Sequence, residues 1–305
     1  MRIIDLETMQ ECEINGNTVV ALGTFDGCHL GHVSVFRSAY LTAKRLGIKS
    51  LVYTFDVVPK SIYDKSVKSI LTLNEKIKFI RGCGIDYVAI DCFSEVQSLT
   101  GEDFVKNILL SKLHASNVVC GYNYRFGRNA LCDGESLREM LQNVSGSVEI
   151  CQQVSVNNIP VSSTLIREKI QNGEVEDILS LSPPYSIYAQ VIEGKKLGRT
   201  IGIPTINQLV PNEKITPKRG VYITECEIGE DVYPAITNVG IHPTVDSDVG
   251  ENLETYIIGY SGDLYYSYVR VNFYKRLRDE IKFDSLNLLK LQIEKDIEKS
   301  VEYFK

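Results

Sequence analysis

Two of the four histidines of this chain lie three residues apart, within the segment GTFDGCHLGH at residues 23–32. They are His29 and His32, and a glycine stands between them. The segment follows an apolar run at residues 19–22 and precedes a helix-like stretch at residues 33–46. Because a helix N-terminus attracts anions and glycine lets backbone N–H groups approach a ligand, this turn predicts a site that holds and activates a nucleoside triphosphate.

A second set of phosphate-binding side chains lies at residues 161–167, at the start of another predicted helix. Ser163 and Thr164 carry hydroxyl groups that can cap the helix and donate to phosphate, and Arg167 offers a fork of N–H groups to phosphate oxygens. With the two histidines, they would stabilise the charge of a pentacoordinate phosphorus during nucleotidyl transfer. The plainer alternatives are surface histidines, a simple helix cap and a solvated arginine.

An aromatic loop, GYNYRFGR at residues 121–128, follows a strand-like run and contains three aromatic and two arginine side chains. We interpret it as a pocket for a planar ring beside a phosphate. The alternative is a loop whose rings pack into the core.

The second half of the chain contains a basic run, GKKLGRTIGIPTIN, at residues 194–207. Its three glycines and its basic residues, Lys195, Lys196 and Arg199, predict a flexible, positive loop suited to polyphosphate. Thr205 and Asn207 carry neutral oxygens on one face of an extended segment, and such oxygens suit Mg²⁺. The alternative for this run is a basic surface hairpin.

Glu254 lies downstream in a strand-like run. It is a candidate base for an alcohol that attacks a γ-phosphate. On pattern alone, a single strand glutamate is more simply a solvated side chain.

The elements that must position these side chains differ between the two halves. In the first half, short apolar runs alternate with helical periodicity, which predicts a doubly wound parallel sheet that binds ligands beyond the carboxyl ends of its strands. The predicted strands are residues 18–23, 49–55, 87–90, 117–121 and 147–151, and the predicted helices are residues 33–46, 74–81, 102–113, 134–141, 165–171 and 174–179.

Residues 182–184, Ser-Pro-Pro, interrupt this alternation, because the residue before a proline is disfavoured in a helix. We therefore predict an α/β domain over residues 1–182 and a second domain over residues 183–305. The second domain reads as a small antiparallel β-barrel with a terminal helix. Its predicted strands are residues 186–193, 220–227, 232–238, 254–260 and 266–273, and its helix is residues 285–303.

The composition excludes several classes of protein. A net charge of −6 without a basic block argues against nucleic-acid binding, and no apolar run approaches the roughly 18 residues that span a bilayer. None of the eight cysteines forms a C-x-x-C pair, which predicts a reduced, cytoplasmic protein without a zinc site.

In order along the chain, seven motifs resemble the prokaryotic bifunctional riboflavin kinase/FMN adenylyltransferase (FAD synthetase) family. GTFDGCHLGH, GYNYRFG and VSSTLIR resemble the adenylyltransferase module. GRTIGIPTIN, GVY at residues 220–222, NVGIHPT at residues 238–244 and RDEIKF at residues 278–283 resemble the riboflavin kinase module. The resemblance runs over nearly the whole chain.

This resemblance implies two transferase reactions that use ATP. The C-terminal module would transfer the γ-phosphate to the ribityl 5′-hydroxyl of riboflavin, giving FMN and ADP. The N-terminal module would transfer AMP to FMN, giving FAD and pyrophosphate. The implied cofactor is Mg²⁺ and the implied partners are small molecules; a homo-oligomer is compatible with the sequence.

By the same resemblance, His29, His32 and Arg167 are catalytic in the adenylyltransferase and Glu254 is the catalytic base of the kinase, with Thr205 and Asn207 as Mg²⁺ ligands. The implied ATP-binding residues are Gly23, Phe25, Asp26, Gly31, Ser163 and Thr164 in the first domain and Gly198, Arg199, Thr200 and Gly202 in the second. The implied flavin-binding residues are Asn123, Tyr124, Phe126 and Arg278.

The chain also departs from the family's pattern. Where the family commonly reads Thr-Phe-x-Pro-His-Pro, residues 54–59 read Thr-Phe-Asp-Val-Val-Pro; Ile206 replaces an alanine, and His242 stands where arginine is usual. Two alternatives therefore stand beside the bifunctional enzyme. One is a riboflavin kinase with an impaired adenylyltransferase domain, and the other is a non-catalytic flavin-binding or nucleotide-binding protein.

Overall fold

A computed structural model describes residues 1–7, 14–194, 197–241 and 251–305 and divides the chain into two compact units, Met1–Ser163 and Thr164–Lys305. This division falls before the boundary predicted at residue 182. The reason is that residues 164–182 make contacts within the second unit: the Lys218 N–H donates to the Ile170 carbonyl at 3.2 Å, and Lys275 pairs with Glu176 at 3.9 Å.

Unit 1 is built on a parallel sheet of six strands. Its strands in chain order are β1 (Arg2–Asp5), β2 (Thr18–Leu22), β3 (Lys49–Phe55), β4 (Tyr87–Asp91), β5 (Ala115–Gly121), β6 (Arg125–Phe126), β7 (Cys132–Asp133), β8 (Ser147–Cys151), β9 (Ser155–Val156) and β10 (Ile159–Pro160). The sheet order is β1-β4-β3-β2-β5-β8, while β6 pairs with β7 and β9 with β10. All five predicted strands are confirmed, and the edge strand β1 was missed.

Helices cover both faces of this sheet. They are α1 (Leu30–Leu46), α2 (Pro59–Tyr63), α3 (Leu73–Gly82), α4 (Phe93–Val96), α5 (Gly101–Asp103), a π-helix (Phe104–Lys112), a 3₁₀ turn (Arg128–Ala130) and α6 (Gly134–Gln142). On β2, Val20 and Leu22 face one buried cluster while Val19 and Ala21 face the other. This alternation gives the sheet two cores and confirms the doubly wound architecture.

The strand order places two loops side by side at the carboxyl edge of the sheet. From β2 the chain proceeds to β3 and β4 on one side, and then crosses to β5 on the other side of β2. The loops that follow β2 and β5 therefore lie where the strand order reverses, which is the usual ligand position in such sheets. These loops are the histidine turn and the aromatic loop.

Unit 2 is a closed antiparallel barrel with flanking helices. Its elements are α7 (Ser163–Asn172), which starts at the last residue of unit 1, a 3₁₀ turn (Asp177–Ser180), β11 (Tyr185–Ile192), α8 (Leu197–Thr200), β12 (Ile206–Leu209), β13 (Gly220–Ile228), β14 (Asp231–Ile241), β15 (Glu251–Ile257), β16 (Tyr268–Arg278) and α9 (Leu286–Tyr303). The barrel order is β11-β12-β15-β14-β13-β16. The barrel and its terminal helix are confirmed; the short strand β12 was missed, and the helix predicted at residues 174–179 is only the 3₁₀ turn.

Two expectations from composition can be compared with the described part of the chain. None of its helices is long and apolar enough to cross a bilayer. Its seven cysteines are all free of disulfides, and Cys28, Cys120 and Cys226 are buried.

Candidate active sites

The turn between β2 and α1 holds an uncommon backbone conformation. Phe25 and Cys28 have φ angles of 52° and 42°, in the left-handed region that side chains rarely adopt, and Gly27 between them has φ 89°. The buried Phe25 ring fixes the turn by packing on Phe36 at 4.5 Å between ring centroids. Backbone strain of this kind is retained where the surrounding contacts hold it in place, and it is found most often at functional sites.

The two histidines meet at the start of α1. His29 is the N-cap, and its Nδ1 accepts a hydrogen bond from the His32 backbone N–H at 3.4 Å. The two imidazoles stack with centroids 3.6 Å apart. Gly31 is required here, because a Cβ at that position would lie 3.1 Å from the His29 ring. The H-x-x-H spacing thus brings the two rings into contact, while their predicted roles toward phosphate stay predictions.

Both imidazoles are held neutral. Burial of His29, which is 6% exposed, lowers its pKa to about 4. The pKa of His32 is also lowered, first by burial and then by the nearby His29 and Lys76. Since Nδ1 of His29 accepts a hydrogen bond, its proton resides on Nε2. Nδ1 of His32 is buried without a hydrogen-bond partner, and a bound ligand could supply that partner.

Asp26 and Ser163 brace the same turn. The Asp26 carboxylate accepts from the backbone N–H groups of Ile70 at 2.9 Å and Leu71 at 3.2 Å, and its backbone carbonyl accepts from the Ser163 hydroxyl at 2.6 Å. The structure thus brings Ser163 to the histidine turn, as the motif predicts. Thr164 is exposed and Arg167 half-buried on α7, in unit 2, and their approach to the histidines stays a prediction.

Lys76, on the first turn of α3, was missed by the sequence interpretation. Its side chain is buried, and its ammonium donates to the Thr24 carbonyl, the Thr54 hydroxyl and the Phe55 carbonyl at 3.2, 3.0 and 2.8 Å. A signal was present, because Lys76 precedes the buried Ile80 by four residues and so shares its helix face.

The aromatic loop after β5 is divided between core and surface. Phe126 is buried against Phe104 at 5.5 Å, and Tyr124 stacks on Phe126 at 5.8 Å. Asn123 is exposed beside Gly121, at the end of β5. The alternative that the rings of this loop pack into the core therefore holds for Phe126. The flavin-binding roles of Asn123, Tyr124 and Phe126 stay predictions.

In unit 2, the polar side chains predicted to bind Mg²⁺–ATP gather on one part of the barrel wall. Asn207 on β12 is the register partner of Glu254 on β15. The Thr205 hydroxyl donates to Oε1 of Glu254 at 2.8 Å, and Oδ1 of Asn207 accepts from the Asn252 side chain at 3.2 Å. Asn252 was missed, and its own Oδ1 is buried without a partner.

Two glycines of the basic run, Gly194 and Gly198, lie close to Asn207 and Thr205 of this patch. A Cβ at Gly194 would collide with the Asn207 amide, so only glycine permits the approach. Part of the run, predicted as a flexible loop, is instead the short helix α8, in which the Gly198 carbonyl accepts from the Ile203 N–H at 2.8 Å. Arg199 donates to the Tyr265 hydroxyl at 3.1 Å. Thr200 and Gly202 lie at the exposed end of this turn, and Lys195, Lys196 and His242 lie outside the described residues.

Arg278 is engaged in a structural ion pair. Its Nε and Nη2 donate to Oδ2 of Asp296 at 2.9 and 2.8 Å, and Asp296 is fully buried on α9. The guanidinium therefore ties the end of β16 to the terminal helix, and its predicted contact with flavin stays a prediction.

Comparisons with known proteins cover both units. Residues 11–165 match the family model described as FAD synthetase, and residues 181–304 match the one described as riboflavin kinase. The chain is 33% identical to a bifunctional riboflavin kinase/FMN adenylyltransferase of Bacillus subtilis (strain 168), covering 96% of this chain and 94% of that protein. The protein of that name from Escherichia coli (strain K12) is 30% identical over 94% and 92%. A crystal structure described as a macrolide-efflux protein from Streptococcus pneumoniae matches with a TM-score of 0.88 and 30% identity over 98% of each chain.

Proposed function

Since this chain belongs to the bifunctional riboflavin kinase/FMN adenylyltransferase family, we propose that it carries out both reactions of FAD synthesis. The barrel phosphorylates riboflavin to FMN with ATP, and unit 1 joins AMP from ATP to FMN, giving FAD and pyrophosphate. The observation that carries the proposal is that each unit brings together side chains of the kind that handle phosphate: the stacked His29–His32 pair in one, and the hydrogen-bonded Thr205–Glu254 pair in the other.

In the kinase reaction, Glu254 is the general base. Its Oε1 is held by the Thr205 hydroxyl, which leaves Oε2 to accept the proton of the ribityl 5′-hydroxyl. As that proton leaves, the hydroxyl oxygen bonds to the γ-phosphorus and the bond from the γ-phosphorus to the bridging oxygen breaks, releasing ADP. The carboxylate both orients the nucleophile and removes its proton.

Thr205 and Asn207 fit a magnesium ion. Their hydroxyl and amide oxygens are the hard donors that Mg²⁺ takes together with phosphate and water. The hydrogen bond from Asn252 fixes the Asn207 amide with its oxygen in the patch. Bound there, the ion would neutralise phosphate charge.

In the adenylyl transfer, a phosphate oxygen of FMN attacks the α-phosphorus of ATP and pyrophosphate leaves. The attacking oxygen is already ionised near neutral pH, so no general base is required. The neutral imidazoles of His29 and His32 donate N–H groups to phosphate oxygens at the N-terminus of α1. Ser163, whose hydroxyl donates to the Asp26 carbonyl, adds a further hydroxyl to this turn, and phosphate-binding roles for Thr164 and Arg167 are predicted from the motif alone.

We also assign a cytoplasmic place of action to the protein. The free, partly buried cysteines and the negative net charge suit a reducing compartment and small-molecule substrates rather than nucleic acid.

The test is to incubate the purified protein with riboflavin, ATP and Mg²⁺ and to separate the flavins by chromatography. We expect FMN to form first and FAD to follow, with neither product when ATP is omitted. Accumulation of FMN, with no FAD even from added FMN, would favour the kinase with an impaired adenylyltransferase. Flavin binding without any turnover would favour the non-catalytic binder.

A further inference from the structure

Lys76 is a buried cation at the carboxyl edge of the sheet in unit 1. Its ammonium joins the turn after β2, through the Thr24 carbonyl, to the end of β3, through the Thr54 hydroxyl and the Phe55 carbonyl. Thr24 directly precedes Phe25, the residue whose ring packs edge-on against His32 at 5.3 Å. The cation thus holds the strained turn that leads into the histidine pair.

This placement of a cation is costly. Lys76 is 5% exposed, and all three of its hydrogen bonds go to neutral oxygens. It lies on the first turn of α3, where the helix dipole disfavours positive charge. The neighbouring Glu75 carboxylate is used by the capping box with Thr72. Burial lowers the pKa of Lys76 to about 8, so the side chain still carries its charge at neutral pH.

A side chain that only held the turn after β2 against the end of β3 would not need this charge, because a neutral amide could donate to the same carbonyls. The charge acts on His32, whose pKa is lowered first by burial and then by the charges of His29 and Lys76. The other groups that face Lys76 are Asp26, Cys28 and Asp56, whose influence favours its charged form. A fixed cation beside the triphosphate site also favours a bound polyanion.

We propose that Lys76 is a positioning residue for adenylyl transfer, which fixes the turn between β2 and α1 against β3 and places a positive charge where it acts on His32. This proposal rests on the adenylyltransferase activity proposed above. Lys76 makes no bond to the reacting atoms and acts through the turn and through the imidazoles.

The experiment compares three variants of the full chain. Lys76→Gln removes the charge but keeps a hydrogen-bond donor, and Lys76→Arg keeps the charge. Lys78→Gln removes an exposed lysine two residues further along the same helix and is the matched control. For each variant, kcat and KM for ATP are measured in FAD formation from FMN, and the ring signals of His32 are followed by NMR from pH 8 to pH 4. The spread of chemical shifts in the same NMR spectra reports on the folding of unit 1, which contains Lys76, and FMN formation from riboflavin reports on the folding of unit 2.

We expect Lys76→Gln to lower kcat/KM for FAD formation by roughly 100-fold, the scale of a misplaced catalytic turn. Lys76→Arg should lose less, and Lys78→Gln should stay within about twofold of the parent. The His32 titration should move to higher pH in Lys76→Gln alone, because only that variant loses the opposing charge.

The proposal is overturned if Lys76→Gln retains FAD formation within about twofold of the parent protein. It is also overturned if Lys76→Gln and Lys76→Arg lose activity equally while the His32 titration stays in place, since that result describes a structural tie only. Failure of the parent protein to form FAD from FMN would instead refute the adenylyltransferase activity, and the His32 titration would still test the charge effect.

Discussion

Unit 1 presents two neutral imidazoles at a helix N-terminus, whereas unit 2 presents a carboxylate on the wall of a barrel. Both sites are proposed to act on ATP, so the difference lies in the second substrate. A phosphate oxygen of FMN is already ionised near neutral pH, but a ribityl hydroxyl must lose a proton as it attacks. A phosphoryl or nucleotidyl transfer site therefore needs a base where the nucleophile must lose a proton as it attacks, as the ribityl hydroxyl must and the FMN phosphate need not.

The substitution Glu254→Gln should give the largest loss of activity among the tests of this contrast. The amide keeps the shape of the side chain and can still accept from Thr205, but it cannot take a proton. FMN formation should fall by about 10²–10⁴-fold, while FAD formation from added FMN should be unchanged. Both rates are measured on the same preparation, and loss of both in a folded protein would show that the two sites are not independent.

Replacing both His29 and His32 with alanine is the reciprocal test. It removes two donors to phosphate, so FAD formation should fall by roughly 10²–10³-fold, while FMN formation should persist. His114, a third histidine of unit 1 that lies outside the histidine turn, provides the control variant His114→Ala. An undiminished rate of FAD formation in the double variant would remove the imidazoles from the mechanism.

Thr205→Val sharpens the assignment of the barrel site. Valine keeps the volume of threonine but cannot donate to the Glu254 carboxylate. A hydrogen bond to a charged group contributes about 1.5–3 kcal/mol, so FMN formation should fall by roughly 10- to 100-fold with little change in FAD formation. A shift in KM for ATP with kcat unchanged would instead assign the hydroxyl to ground-state binding.

The smallest predicted effect is a change in the free energy of unfolding with pH, which arises from His29 in unit 1. The pKa of His29 is about 4 in the folded protein and about 6.5 when unfolded, so the unfolded chain binds more protons between these values. Stability is therefore lost as the pH falls through this window, by about 1 kcal/mol between pH 7 and pH 5.5. Urea denaturation at the two pH values measures the loss.

His29→Asn is the matched control for this titration. Asparagine is also a good N-cap but does not titrate, so the loss of stability on acidification should shrink. An identical loss in the parent protein and in His29→Asn would assign the effect to other groups.

Much of the fold could be predicted from the sequence, because long apolar strands and periodic helices carry a clear signal. The bounds of β3 and β8 agree with the predicted ranges 49–55 and 147–151. The edge strand β1 and the barrel strand β12 each have only four residues, too few for a pattern to stand out. The hydrogen bonding of the π-helix at Phe104–Lys112 depends on packing and leaves the apolar periodicity almost unchanged.

Site residues could be predicted from the sequence where they belong to one local motif. They could not be predicted where the site joins segments that are distant in the sequence. The H-x-x-H spacing is enough to place His29 and His32 on one helix turn. Lys76 was missed because a lysine in an amphipathic helix is normally solvated, and its acceptors come from the turn after β2 and from the end of β3. Likewise, the pairing of Arg278 with the buried Asp296 depends on the docking of α9, which no local pattern specifies.

The closure of the barrel also bears on how the protein would self-associate. Among the described strands, unit 2 joins β16 to β11 and so closes the barrel, whereas the sheet of unit 1 ends in the edge strands β1 and β8. Edge strands are templates for pairing with a second chain, and charged side chains along them oppose it. Arg2 and Asp5 on β1 and Glu149 on β8 are exposed charges of this kind. Aggregation through strand addition would therefore begin at the sheet of unit 1, and these three exposed charges oppose it.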